Sequence, residues 1–161
     1  MSTVEYMRTI REKYNKLGYA PYGWHKAEEA PPWTALTRPL SECRVGMMST
    51  AGTYVAGQEA YFYKDDTSHR AIASNTAIDD LRFSHLTENY LPDARQDANC
   101  AFPLAPLRKL ADEGVIGGLA DNVFSCMGAV YSKRRVDEEL APRMYDAFAA
   151  EGVDVAYLVP L

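Results

Sequence analysis

The sequence predicts an α/β domain on an open, doubly wound, mainly parallel sheet, and three observations carry that expectation. From residue 43 onward, short apolar runs of strand length give way to helical periodicity in the order strand, loop, strand, loop, helix, strand, helix, strand. Two of the strands run into small-residue turns, Ser49-Thr50-Ala51-Gly52 and Cys126-Met127-Gly128, where the backbone can approach a ligand or the next element closely. At 161 residues, with 47% hydrophobic and 24% charged residues, the chain is about one domain long with enough apolar surface for a core. Such a sheet is Rossmann-like or flavodoxin-like, with residues 1–30 as an N-terminal helix and extended arm and 31–161 as the α/β domain.

The segment from Val4 to Gly18 reads as an amphipathic helix, with Val4, Met7, Tyr14 and Leu17 on one face, Ile10 beside them and Gly18 as its stop. Proline and aromatic residues from Tyr19 to Trp33, without periodicity, read as an extended arm holding His25 at the surface. Cys43 to Gly52 is a buried strand and its turn. Residues 53–80 read as polar and irregular, with Lys64 to His69 as an exposed turn and His69 solvated. Asp80 to His85 alternates polar and apolar as a short strand. It delivers Ser84 and His85 to a long loop, Ser84 to Pro106, whose Leu86, Tyr90, Leu91, Phe102 and Leu104 supply apolar groups to bury. A helix follows, with Asn99 or Cys100 near its N-cap and Gly114 at its end. Val123 to Cys126 is another strand, and Arg134 to Glu151 is helical, with Pro142 either kinking it or starting a second helix. Val153 to Leu161 is the strongest strand signal and reads as buried. A chain ending at the carboxyl edge of a buried strand looks unfinished, because an α/β fold places a loop and a covering helix there.

Composition narrows the function. A net charge of −5 and a pI near 5.2 give no general attraction to nucleic acid or anionic membrane. No apolar run approaches the ~20 residues of a membrane span, and the first residues lack a signal-peptide core. Three widely spaced cysteines favour a reducing compartment, hence the cytoplasm, over a disulfide framework. No metal signature appears among His25, His69 and His85, and neither a dinucleotide glycine fingerprint nor a Walker lysine is present. In open α/β sheets ligands sit beyond the carboxyl ends of the strands. Thr50, Gly52, Ser84, Asn99, Cys126, Met127 and Gly128 are therefore candidate substrate-binding residues, although tight strand-to-loop turns account for the glycines equally well. His85 and Cys100 are the catalytic candidates. A cysteine before a helix N-terminus and near a histidine can be an activated nucleophile, whereas a packed small hydrophobe is the plain alternative for Cys100. Glu88, Asp93 and Asp97 supply acid–base groups or a solvated loop face.

Pro31-Pro32-Trp33-Thr34, the strand Val45 to Gly52, Phe83-Ser84-His85, Asn99-Cys100-Ala101-Phe102-Pro103-Leu104 and Glu151-Gly152-Val153-Asp154 together resemble the selenoprotein B family of glycine, sarcosine and betaine reductases and its D-proline reductase counterpart. The resemblance covers about residues 31–161. It implies a reductase component for C–N bond cleavage in a small amino-acid or betaine-like substrate, working in a homo-oligomer or with a partner reductase subunit. It also implies a selenocysteine or cysteine redox motif just after the strand matching Val153 to Pro160, which places it beyond Leu161, and a pyruvoyl group on a partner subunit. Termination at a UGA codon read elsewhere as selenocysteine would explain the position of Leu161. Two other readings stand beside this one: a non-catalytic ligand-binding or assembly subunit, and a thiol-dependent enzyme using Cys100 and His85.

Overall fold

The computed structural model describes residues 5–20, 28–87 and 91–161. His25, part of the aromatic arm and Tyr90 lie outside the described residues. Contacts within the chain define two units, Met1–Ala35 and Leu36–Leu161.

The first unit holds helix α1, Tyr6–Lys16. Lys13 and Lys16 occupy its last turn, where cations complement the helix dipole. Gly18 follows in the left-handed region at φ +79°, which ends the helix as its sequence position suggests. Arg8 lies 3.1 Å from Glu5 and 3.9 Å from Glu12, and the Tyr14 and Tyr19 rings sit 5.9 Å apart.

In the second unit the elements are β1 Arg44–Ser49, β2 Thr53–Val55, β3 His69–Ala73, β4 Leu81–Phe83, α2 Pro92–Gln96, α3 Leu104–Asp112, β5 Gly118–Leu119, β6 Asn122–Cys126, α4 Lys133–Arg135, α5 Ala141–Ala150 and β7 Val155–Val159. The sheet is mainly parallel, as expected, and β1 is its centre. Along one side β7 pairs with it from Val45↔Val155 to Ser49↔Val159. Along the other, β5 pairs with its start and β6 with its end, at Met48↔Phe124 and Ser49↔Ser125. The outer strand β3 is antiparallel to β6. Strands β2 and β4 form a separate antiparallel ribbon.

Alternation along β1 and β6 divides the core between two faces. Met47, Val123 and Ile72 pack with Leu104 and Leu107 of α3, together with Phe102 and Leu81. Met48, Phe124 and Cys126 pack with Leu140, Met144 and Phe148 of the second helical layer. Fully burying one such side chain is worth about 1.5–3 kcal/mol. The arrangement is therefore helix, sheet, helix. At the amino end of β1, Asp154 accepts from the Arg44 amide at 2.8 Å and pairs with Arg38. Glu151 accepts from the Asp121 and Asn122 amides at 3.0 and 3.3 Å.

Several local expectations change. Residues 53–80 are not simply irregular, because they contain β2 and β3. Only Ile72 of β3 is buried, so the segment has little apolar signal, and its extended form comes from main-chain pairing with β6. His69 is half-buried rather than free on an exposed turn: it begins β3 and meets the Phe124 ring edge-on at 5.7 Å. In the supposed exposed turn, Thr67 is buried. The long loop after β4 carries α2 and a 3-10 turn at Ala98–Cys100, and it buries Leu91, Phe102 and Leu104 while Leu86 stays exposed. Pro142 lies in the first turn of α5, and the turn before it, Val136–Leu140, is π-helical. The missing proline N–H and the widened turn fall together, and the chain stays helical through both. Finally, β7 is not a buried strand. Ala156, Tyr157 and Leu158 are exposed, because β1 is the strand it pairs with and neither helical layer reaches fully over it.

Candidate functional site

The carboxyl ends of β1 and β6 are tied together by two buried serines. The Ser49 hydroxyl donates to the Ala101 carbonyl at 2.6 Å and accepts from the Ala51 amide at 3.1 Å. The Ser125 hydroxyl donates to the Ser49 carbonyl at 3.0 Å and accepts from the Thr53 amide at 2.8 Å. Buried hydroxyls engaged on both sides hold the chain at two strand ends. Tyr61 closes this cluster from the neighbouring loop, its hydroxyl lying 2.6 Å from the Ser125 carbonyl and 3.2 Å from that of Thr53. Burial pushes the Tyr61 phenol well above its usual range, so it is a neutral donor.

Gly52 meets the ribbon strand at its exit. Its amide donates to the Cys126 carbonyl at 3.0 Å, and its carbonyl accepts from the Ser84 amide at 2.9 Å. The Ser84 hydroxyl reaches the Tyr61 carbonyl at 3.5 Å. His85 follows, 6% exposed. Its Nδ1 accepts the Thr87 amide at 3.1 Å, with the Thr87 hydroxyl 2.7 Å away. An Nδ1 that accepts leaves the proton of the neutral ring on Nε2. That nitrogen faces the end of β6: a β-carbon on Gly128 would stand 3.1 Å from it, 2.8 Å from the Thr50 carbonyl and 3.0 Å from Thr50 Oγ1. Thr50 joins the third parallel strand, with its amide donating to Val159 at 3.0 Å and its hydroxyl accepting from the Leu161 amide at 2.8 Å. Met127 bridges to Ala51. Thr50, Gly52, Ser84, His85, Cys126, Met127 and Gly128 therefore converge at one end of the sheet.

Cys126 turns into the α5 side of the core, where burial, followed by the charge of Asp66, pushes its thiol up to about 12. It is a packed group there and not a thiolate. Asn99 serves the backbone: its Oδ1 accepts the Ala105 amide at 3.0 Å in the first turn of α3, and its amide donates to Asp97 at 2.9 Å. Cys100 is exposed on the adjacent 3-10 turn, and no hydrogen bond joins it to His85 among the described residues. Also among the described residues, no three histidine, cysteine or acidic side chains group as a metal site, and no helix is long and apolar enough to cross a membrane. Tyr61 and Thr87 escaped the sequence reading. The i to i+2 spacing of His85 and Thr87 was the available signal for the second, whereas Tyr61 reaches the site only through the fold.

Fold and site together define an α/β protein whose polar and small residues gather at the carboxyl end of a mainly parallel sheet, the position at which such sheets place ligands. Over 128 residues, 80% of this chain and 52% of the relative, the sequence is 31% identical to D-proline reductase subunit gamma of Acetoanaerobium sticklandii. That identity supports a distant relationship to the reductase family, and the chain spans about half the length of this relative. No family model and no solved structure matches the chain.

Proposed function

We propose that this chain is a component of a selenoprotein-B-like reductase that cleaves a C–N bond in a small amino-acid or betaine-like substrate. The observation carrying the reading is the 31% identity to D-proline reductase subunit gamma, which runs over 80% of the chain. The strand-end cluster lends it chemical sense. His85 sets an imidazole, its Nδ1 engaged by Thr87, beside Gly128 at the strand ends, and an imidazole there suits an anionic sulfur or selenium, or a substrate oxygen. A selenocysteine or cysteine motif following β7 would supply the nucleophile toward carbon, and a pyruvoyl group would belong to a partner subunit. The role of this chain is to bind and orient: Thr50 holds the path of the chain leaving β7, Gly52 and Ser84 lock the ribbon to the sheet, and His85 places its imidazole beside them.

Two experiments test the proposal. The complex containing this chain, purified from its source, is incubated with D-proline, glycine, sarcosine or betaine and a dithiol reductant. Consumption of one of them is expected; for D-proline the product is a linear amino acid two hydrogens heavier. A complex that consumes none overturns the reading. Sequencing the gene past codon 161 tests the redox motif. A UGA or cysteine codon soon followed by a cysteine codon is expected, and an ordinary stop counts against it.

A further inference from the structure

A groove of about 680 Å³ lies near the same end of the sheet, because antiparallel β3 sets His69 opposite Cys126. Its walls carry four acids, Glu59, Asp65, Asp66 and Glu139, and four cations, Lys64, Arg70, Arg135 and Arg143. Asp65 accepts the Tyr131 and Ser132 amides at 2.7 and 3.1 Å. Asp66 accepts the Phe62 and Ser68 amides, both at 2.8 Å, and the Ser68 hydroxyl at 2.5 Å. Glu139 takes the Arg135 guanidinium at 2.9 and 3.0 Å and the Thr67 hydroxyl at 2.7 Å. Arg70 donates to the Glu59, His69 and Ala60 carbonyls at 2.8, 3.1 and 3.4 Å and to the Ser68 hydroxyl at 2.9 Å, with its guanidinium 4.3 Å from the Tyr61 ring centre; it therefore brings mainly its charge to the groove. Arg143 makes a single hydrogen bond among the described residues, to the Thr67 carbonyl at 3.5 Å. Neither Arg70 nor Arg143 has a carboxylate at ion-pair distance among those residues. Of the acids on the walls, only the Glu59 carboxylate stands outside a hydrogen bond there.

We propose that this groove is a binding site for a small organic carboxylate, whose anionic group is held by the guanidiniums of Arg143 and Arg70 with its apolar body beside Phe62. Arg70 is pre-oriented by its backbone partners and by the tyrosine face, so little rotamer freedom is lost on binding. Arg143 has donors left to form a forked pair with two oxygens. The local field agrees: after burial, the charges of Arg143 and Arg70 are what push the His69 imidazole down. Naming the ligand an amino acid rests on the reductase reading; the carboxylate site does not.

His69 serves as the reporter. Its NMR titration in the 161-residue chain is followed with sodium acetate, glycine, D-proline or inorganic phosphate against sodium chloride at equal ionic strength. Acetate and the amino acids are expected to raise the His69 midpoint saturably, by neutralising the cations that depress it. Arg143→Gln is expected to raise the midpoint without ligand and to weaken carboxylate binding about tenfold, the worth of one charge-assisted bond. Arg134→Gln, the same charge change in an exposed pair with Glu138 outside the groove, is expected to leave binding unchanged. A midpoint that moves no more with carboxylates than with chloride, a response to phosphate alone, or unaltered binding in Arg143→Gln overturns the proposal. Carboxylate binding here, combined with a native complex that consumes no substrate, would overturn the reductase reading and leave the groove standing.

Discussion

At Gly52 the backbone φ is +65°, and a β-carbon would stand 2.1 Å from the Ser84 carbonyl oxygen. Both conditions exclude a side chain, so Gly52→Ala is expected to cost about 2–4 kcal/mol, read as a lowered urea midpoint at unchanged slope. Cysteine chemistry separates just as sharply. Cys43 and Cys126 are buried and Cys100 is exposed, so iodoacetamide at neutral pH is expected to label one cysteine of the native chain and all three in urea, counted by intact mass. Rapid labelling of Cys100 that slows in His85→Ala would favour a thiol-dependent enzyme. Glu139 supplies the acid-side prediction. Its hydrogen bonds to Arg135 and then Thr67 hold its carboxyl down to about 2, against an ordinary 4.5. A depressed folded value means stability that is full above about 4.5 and is lost as pH falls toward 2. Glu139→Gln should flatten the stability curve over that interval, and an unchanged curve would show that the clamp contributes nothing.

Among the elements, β1 and β6 depend on each other through hydroxyls as well as main chain. Ser125→Ala would strand the Thr53 amide in the interior, which is expected to cost about 1–3 kcal/mol by chemical denaturation. A loss confined to a few tenths would mean that the ribbon is held by its other bonds. The same elements show what a single chain of letters conveys. β1 was legible because apolar side chains cover both its faces, and β4 because polar and apolar residues alternate. β3 was not, since His-Arg-Ala-Ile-Ala becomes a strand only when β6 offers its edge. β7 was read correctly as extended and wrongly as buried: Val-Ala-Tyr-Leu-Val has the same composition inside a sheet or at its rim, and only pairing distinguishes the two. The π-helical turn before Pro142 has no period of its own in the sequence. A proline one or two residues into the following helix signals its neighbourhood and not its geometry.

For the molecule as a whole, one end of the sheet carries structural ion pairs, Arg38 with Asp154 and Arg44 with Asp121 and Glu151, while the other gathers His85, Thr50, the serine pair and, beside them, the arginine groove. That polarity accords with where open α/β sheets place ligands. From the letters alone came the α/β alternation, the helix ends at Gly18 and Gly114, and the set of small and polar residues beyond β1, β4 and β6, because periodicity, backbone freedom and turn composition are local properties. The start of α3 did not, since the expected cap at Asn99 or Cys100 lies in a 3-10 turn and the helix begins at Leu104. The folded chain was needed to show that His85 lies beside Gly128 and, among the described residues, carries no hydrogen bond to Cys100, that Asn99 accepts the Ala105 amide in the first turn of α3, and that Arg70 and Arg143 share a groove. Those relations join residues from separate strands and helices, and they are set by strand register and by which face of the sheet each helix covers.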